Sequence, residues 1–266
     1  MIGLSASYSY SGITALVTGA SSGIGAAFAE SLAAKGANLI LVARSIDVLD
    51  EQAARLRSTY GVETETAGVD LTDRSARAGL FDRYAARRID LLVNNAGVGS
   101  HGTFAENPAE NALRLIELNC AAVVELARAF LPSMVREATG GIINVGSTAG
   151  FQPTPRMAIY GATKAFVVSF SQALSTECRG TGVRVLAFCP GAVATNFGVG
   201  LGEPRWTDRI ISRAPQPESV VPGALEAFSQ SRSMYVPGAL NRLAALAVRF
   251  APRYLTASIA NKLLST

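Results

Sequence analysis

The stretch Thr18-Gly19-Ala20-Ser21-Ser22-Gly23-Ile24-Gly25 decides the fold of this chain. A short apolar run at residues 13–18 leads into it, and an amphipathic stretch at residues 23–35 follows. Glycines in such a turn let the backbone approach a pyrophosphate without a Cβ clash, and the amides that open the helix face the anion. A glycine-rich segment alone would be an ordinary turn, but strand, turn and helix in this order predict a dinucleotide site. We expect it to be lined by Gly19, Ser21, Ser22, Gly23, Ile24 and Gly25.

Short apolar runs alternate with amphipathic stretches along the whole chain. The runs do not alternate in polarity, which indicates strands that are covered on both faces. Strands are predicted at residues 13–18, 38–43, 63–69, 90–94, 141–146, 183–189 and 234–236, and helices near 23–35, 47–60, 73–86, 109–137, 159–179 and 218–231. This alternation predicts an α/β, doubly wound parallel sheet of about seven strands, a Rossmann fold, with helices on both faces. We expect residues 1–266 to form a single domain.

Two segments interrupt the alternation. Residues 195–215 contain three glycines, Pro204 and Trp206, and we expect them to pack over the substrate side. Residues 239–266 are apolar with interspersed Arg, and Pro252 divides them into two predicted short helices. This C-terminal extension could cover the substrate cleft, contact a second subunit or lie on a membrane surface. We favour packing within the protein, as a lid or subunit contact, and peripheral membrane contact stays open.

Composition excludes several classes of protein. The chain is 49% hydrophobic and 17% charged, which is typical of a globular protein and not of a disordered chain. The net charge of +4 comes without a concentrated basic block, so we expect no nucleic-acid partner. Three cysteines lack metal-ligand spacing and a disulfide pattern, so we expect no metal. Without a recognisable signal peptide or membrane-spanning apolar run, a cytoplasmic location is predicted.

Arg44 follows the second predicted strand, where an NAD-preferring site usually has a carboxylate. An Arg there suits the 2′-phosphate of NADP(H) through a charge-assisted contact, so NADP(H) is the predicted cofactor. Asp47, three residues later, is a weaker candidate for the carboxylate of an NAD site, because it opens the next helix as a plausible N-cap. The alternative for Arg44 is a solvated loop charge.

An ordered set of motifs resembles the short-chain dehydrogenase/reductase family over about residues 12–238. The motifs are residues 18–25, Asp70, Asn94-Asn95-Ala96-Gly97, Asn119, Ser147, Tyr160-Gly161-Ala162-Thr163-Lys164, and Pro190-Gly191 followed by Thr195. The resemblance implies an NADP-dependent carbonyl reductase or alcohol dehydrogenase that forms a dimer or tetramer. Residues 158–177 look similar to the branch of 3-oxoacyl reductases and hydroxysteroid dehydrogenases.

Tyr160 and Lys164 are four residues apart in a predicted helix and so share one face. A phenol with a pKa of about 10 is a poor acid–base catalyst near neutral pH. We expect the Lys164 ammonium to favour the phenolate and so to lower the pKa of Tyr160. Ser147 follows the fifth strand, where its hydroxyl could polarise the substrate oxygen. By resemblance, Asn119 would hold a water that continues a proton relay from Lys164.

The resemblance also assigns the remaining cofactor contacts. Asp70 and Leu71 would meet the adenine, and the run from Asn94 to Gly97, including Ala96, would line the adenosine ribose and steady the fourth strand. Thr18 would hold the first strand to the fourth, while Tyr160 and Lys164 would also touch the cofactor. The nicotinamide carboxamide would be surrounded by Pro190, Gly191, Val193 and Thr195.

The predicted substrate pocket is apolar. Its candidate residues are Ser147, Ala149, Phe151, Met157, Phe197 and Trp206. They fit a ketone, an aldehyde, or a 3-oxoacyl or steroid-like carbonyl compound better than a sugar or an acid. His101, the one histidine, is expected at the rim of this pocket and not in catalysis.

Three other functions are compatible with the fold. A non-catalytic dinucleotide sensor or scaffold would have no need of Ser147, Tyr160, Lys164 and Asn119 together. A dehalogenase- or lyase-type relative would replace the glycine turn or the Lys. An enoyl reductase would use a wider Tyr–Lys spacing. Hydride transfer involving a carbonyl group is therefore the predicted reaction.

Overall fold

Seven parallel strands form one sheet in a computed structural model that describes residues 8–195 and 213–264. The strands β1 to β7 are Thr14–Thr18, Asn38–Ala43, Thr64–Gly68, Leu91–Asn94, Gly141–Val145, Arg184–Phe188 and Met234–Tyr235. Their order is β3-β2-β1-β4-β5-β6-β7. The chain builds outward from β1 to β3, returns to the centre, and builds outward again from β4. The predicted doubly wound fold is confirmed, and its point of reversal lies between β1 and β4, where such sheets bind ligands.

Helices cover both faces of this sheet. The helices α1 to α9 are Gly23–Ala33, Ile46–Tyr60, Arg74–Tyr84, Ala109–Ile116, Ala122–Arg136, Ala158–Glu177, Pro217–Ser229, Ala239–Ala247 and Arg253–Leu264. Residues of α1, α2 and α7 pack with Val17 of β1 on one face. Residues of α3, α5 and α6 pack with Leu16 on the other. Successive side chains of a strand point to opposite faces, so a strand buried on both sides needs an unbroken apolar run.

The helix predicted over residues 109–137 is divided by a π-helical segment, Glu117–Ala121, between α4 and α5. Arg77 of α3, only 1% exposed, bonds Glu117 of this segment and Glu125 of α5. Among the described residues, Ala109–Arg136 is the one helical stretch long and apolar enough to cross a membrane by length and composition. Its second part, α5, packs on the sheet, where Phe130 and Met134 are buried.

The C-terminal extension forms two helices, as predicted, with α8 ending before Pro252 and α9 beginning after it. Packing within the protein is found for only part of it. Thr256 and Ala260 are buried, and the ring Nε2 of His101 lies 3.3 Å from the carbonyl oxygen of Leu264. The apolar side chains of α8 are exposed. Most of the segment predicted to pack over the substrate side, residues 196–212, lies outside the described residues.

Candidate active site

The turn between β1 and α1 has no room for side chains at its glycines. A Cβ on Gly25 would lie 2.1 Å from the carbonyl oxygen of Gly19, and one on Gly19 would lie 2.8 Å from Nδ2 of Asn95. Gly23 has a left-handed φ of +56°, and a Cβ there would lie 2.9 Å from Cγ2 of Thr195. The turn is therefore a tight backbone cradle, and Thr195 of the segment after β6 sits against it.

The first turn of α1 is open to an anion. Ser22 precedes the helix, but its side chain makes no capping hydrogen bond, and no acidic residue lies in the first turn. Free amides and the positive end of the helix dipole therefore face the cradle. Arg44, after β2, is exposed and forms no ion pair with any described residue.

Asn95 and Thr18 join the cradle to β4. The hydroxyl of Thr18 donates to the carbonyl of Val93 and accepts hydrogen bonds from the amides of Asn95 and Ala96, each at 3.0 Å. The amide of the Asn95 side chain donates to the carbonyl oxygens of Thr18 and Gly19. The predicted role of Thr18 in holding β1 to β4 is confirmed.

Ser147, Tyr160 and Lys164 meet at the carboxyl end of β5. The Ser147 hydroxyl forms a hydrogen bond with the phenol of Tyr160, and all three side chains are buried. The ammonium of Lys164 lies 5.8 Å from the centre of the Tyr160 ring and donates to the carbonyl of Val145 at 2.8 Å. Tyr160 and Lys164 lie one turn apart on α6, as their spacing predicted.

The expected electrostatic effect of Lys164 on Tyr160 is not what governs this site. Burial raises the pKa of Tyr160 to about 12, opposed by the hydrogen bond with Ser147. Burial also lowers the pKa of Lys164 to about 8. In each case desolvation penalises the charged form of the group. The predicted lowering of the Tyr160 pKa is therefore wrong for this structure.

Asn119 lies in the π-helical segment and joins three parts of the site. Its carbonyl oxygen accepts from the amide of Val98, and its amide group donates to the carbonyl of Val98 and to the hydroxyl of Thr163. Thr163 in turn donates to the carbonyl of Tyr160. A Cβ on Gly97 would lie 3.2 Å from Oδ1 of Asn119 and 3.4 Å from the ammonium of Lys164. Asn119 thus ties the loop after β4 to the helix of Tyr160.

Three of the residues predicted to contact the cofactor lie on or after β3 and β4. The side chain of Leu71 packs in the core behind the sheet. The Asn94 side chain is buried and donates to Oδ1 of Asn144, which steadies β4. Asp70 lies at the sheet edge beside Arg114. Burial of the Asp70 carboxyl acts to raise its pKa. Hydrogen bonds from Thr72 and the positive charges of Arg114 and Arg44 outweigh this effect and hold the pKa below its ordinary value.

The predicted nicotinamide segment follows β6. The carbonyl of Pro190 accepts a hydrogen bond from the amide of Thr148, beside Ser147, and Val193 is buried in the core. A Cβ on Gly191 would lie 2.9 Å from Nδ2 of Asn241 in α8. The C-terminal extension therefore reaches this segment, a contact that the sequence did not predict.

The substrate candidates fall into two groups. Ala149 and Met157 pack with Tyr160, together with Leu115. Phe151 instead packs with Val168 and Val236 and lines the cavity beside α8. Phe197 and Trp206 lie outside the described residues. Across residues 8–195 and 213–264, no cluster of His, Cys, Asp and Glu could hold a metal ion.

Residues 13–205 match the family model described as short chain dehydrogenase. The chain belongs to the short-chain dehydrogenase family. The very-long-chain 3-oxoacyl-CoA reductase of Bos taurus is 36% identical over 228 residues, which cover 84% of this dehydrogenase and 71% of the relative. The chain spans 60% of the length of the Homo sapiens and Mus musculus reductases of that name.

Solved structures of the family share this architecture. A short-chain dehydrogenase from Sphingobium yanoikuyae in complex with NADPH has a TM-score of 0.81 and 39% identity, covering 90% of this chain and 93% of that one. The bulky-bulky ketone specific alcohol dehydrogenase from Comamonas testosteroni has a TM-score of 0.77 and 36% identity, covering 90% and 92%. The predicted branch of the family is in agreement with these relatives.

Several residues that position the site of this dehydrogenase were missed by sequence reasoning. The sequence motifs contain Thr163 and Asn95 but indicate no separate role for either side chain. Leu115 lies in a helix that gave no sign of reaching Tyr160. For Thr163 and Asn95, a polar side chain next to a buried residue was an available signal, because buried polar groups need hydrogen-bond partners.

Proposed function

We propose that this dehydrogenase reduces the carbonyl group of an apolar substrate with NADP(H), using Tyr160 as its general acid. The observation that carries the proposal is the buried cluster of Ser147, Tyr160 and Lys164 beside the glycine cradle. A hydroxyl, a phenol and an ammonium at the carboxyl end of a parallel sheet provide the donors that a developing alkoxide requires.

The residues present fit a dinucleotide phosphate. The cradle excludes side chains at Gly19, Gly23 and Gly25, and the open first turn of α1 offers amides to a pyrophosphate. Arg44 is exposed and available for the 2′-phosphate that distinguishes NADP(H) from NAD(H). The NADPH complex of the Sphingobium relative supports this choice. When bound, the nicotinamide supplies the hydride.

Each member of the cluster has a distinct role in this proposal. Tyr160 holds its proton at neutral pH, because its pKa is about 12, and donates that proton from its phenol to the substrate oxygen. Ser147 donates its hydroxyl proton to the same oxygen, in place of its hydrogen bond with Tyr160, and fixes the position of that oxygen. Lys164 provides positive charge as the phenolate forms, and Asn119 is a positioning residue that holds the loop after β4 against α6.

We propose an apolar ketone or 3-oxoacyl group as the substrate. Ala149, Met157 and Leu115 form the apolar surroundings of Tyr160. The names of the bovine and Comamonas relatives point to a 3-oxoacyl thioester and to bulky ketones. A panel of ketones, sugars and keto acids tests this choice, which would be overturned if a sugar gave the highest kcat/KM.

Replacing Tyr160 with Phe tests the catalytic assignment. We expect kcat to fall by about 10²–10⁴-fold, the usual contribution of a general acid, while NADPH fluorescence still reports binding. Tyr84→Phe, at a buried tyrosine behind the sheet, is the matched control and should keep wild-type turnover. If Tyr160→Phe retained more than about a tenth of wild-type kcat, Tyr160 would not be the general acid.

A further inference from the structure

The C-terminal extension has an apolar face that no described part of the protein covers. Leu240 and Leu243 of α8 are 79% and 65% exposed, and Phe250 after it is 89% exposed. The spacing of Leu240 and Leu243 places these two side chains on one side of α8. Tyr254 and Ile259 of α9 are also exposed, whereas Thr256 and Ala260 of that helix are buried. The extension is thus anchored by one surface and presents an apolar one.

The same segment contains the entire net charge of the chain. Residues 239–266 have four basic side chains and no acidic one, which leaves 20 basic and 20 acidic residues in the remainder of the 24 and 20. The four are Arg242, Arg249, Arg253 and Lys262, all exposed, and none forms an ion pair with a described residue. The sequence has no concentrated basic block, but its positive net charge is confined to the C-terminal extension.

A cavity of about 270 Å³ lies between α8 and the body of the protein. Phe151, Val236 and Leu246 give it apolar walls, and Arg242 and Arg249 belong to its lining. An apolar cleft with two cationic groups suits an amphiphile that has an acyl chain and an anionic head.

From these three observations we infer that residues 239–264 bind the surface of a membrane that contains anionic lipids. The exposed apolar side chains enter the boundary between headgroups and acyl chains, and the four basic side chains contact lipid phosphates. A second copy of the chain fits this face less well than a lipid surface. Two-fold symmetry would pair the two C-terminal extensions and place the four positive charges of one copy against the four of the other. An anionic lipid surface neutralises them instead.

Co-sedimentation of the full-length chain with vesicles tests the inference without any need for turnover. We expect binding to vesicles of phosphatidylcholine with 30% phosphatidylglycerol, little binding to phosphatidylcholine alone, and release at high salt. The triple variant R242Q/R249Q/R253Q should bind about a hundredfold more weakly, the factor expected for three basic residues at such a surface. The double variant L240S/L243S should lose affinity more than tenfold.

Matched variants outside the extension provide the controls. R128Q/R179Q/R232Q changes the net charge equally at exposed arginines, and F104S/L113S removes two comparably exposed apolar side chains. Both should bind like the wild type, and all four variants should bind NADPH. The inference would be overturned if the wild type bound neutral vesicles as well as anionic ones, or if the control variants lost as much affinity as the variants of the extension. If the wild type did not bind vesicles and L240S/L243S lowered the mass measured by light scattering, the apolar face would be a contact with a second copy of the chain.

Discussion

Burial acts on Tyr160 and Lys164 in opposite directions. The Tyr160 phenol stays protonated well above neutral pH, and the Lys164 ammonium loses its proton near pH 8. The types and spacing of these residues were predictable, because chemistry and helix geometry fix them. The pKa directions were not, because burial depends on which distant segments cover the site.

A stability measurement can detect the lowered pKa of Lys164. The pKa is about 8 in the folded protein and 10.5 ordinarily, so between these values the unfolded state binds more protons. Stability due to this group therefore rises with pH across that window. Urea unfolding should show this effect. Between pH 8 and 10.5, the free energy of unfolding of the wild type should rise by about 1.4 kcal/mol per pH unit relative to that of Lys164→Met. A pH-independent difference between the wild type and Lys164→Met would contradict the lowered pKa.

Arg44 offers a test of cofactor choice. If its guanidinium binds the 2′-phosphate, Arg44→Asp should raise the KM for NADPH by at least tenfold and change the KM for NADH little, since a charged hydrogen-bonded pair contributes about 1.5–3 kcal/mol. Arg179→Asp, an exposed arginine away from the cradle, controls for the charge change. A wild type that uses NADH as well as NADPH would argue against this assignment.

At the scale of elements, the strands were predicted to within one residue at each end, because their apolar runs are short and bounded by glycine or polar residues. The π-helical segment Glu117–Ala121 was not predicted. Its periodicity differs from that of an α-helix over only five residues, and its stabilising contacts come from elsewhere in the chain. Asn119 meets Val98 and Thr163, 21 and 44 residues away.

Arg77 holds this segment from α3, and its removal should be costly. Arg77→Leu leaves Glu117 and Glu125 without their buried partner. Both carboxylates keep some contact with solvent, so we expect a loss of about 2–3 kcal/mol in the free energy of unfolding, below the range for fully buried pairs. Arg74→Leu, whose exposed guanidinium lies 3.7 Å from Glu125, should cost less than about 1 kcal/mol. Equal losses in urea unfolding would show that burial of Arg77 is unimportant.

At the scale of the whole molecule, alternating apolar and amphipathic stretches were sufficient to predict the doubly wound sheet. The position of the C-terminal extension was not predictable, because its contacts with Gly191 and His101 join segments 50 and 163 residues apart. The expected dimer or tetramer and the cytoplasmic location stay predictions.

The separation of charge between body and extension has a consequence for anyone who shortens this protein. Residues 1–238 contain equal numbers of acidic and basic side chains. A chain cut after Gly238 would therefore be close to its isoelectric point at neutral pH, where proteins repel one another least and precipitate most readily. Removing the apolar C-terminal extension would then lower solubility near neutral pH, and the shortened chain should be more soluble at pH 5 or pH 9.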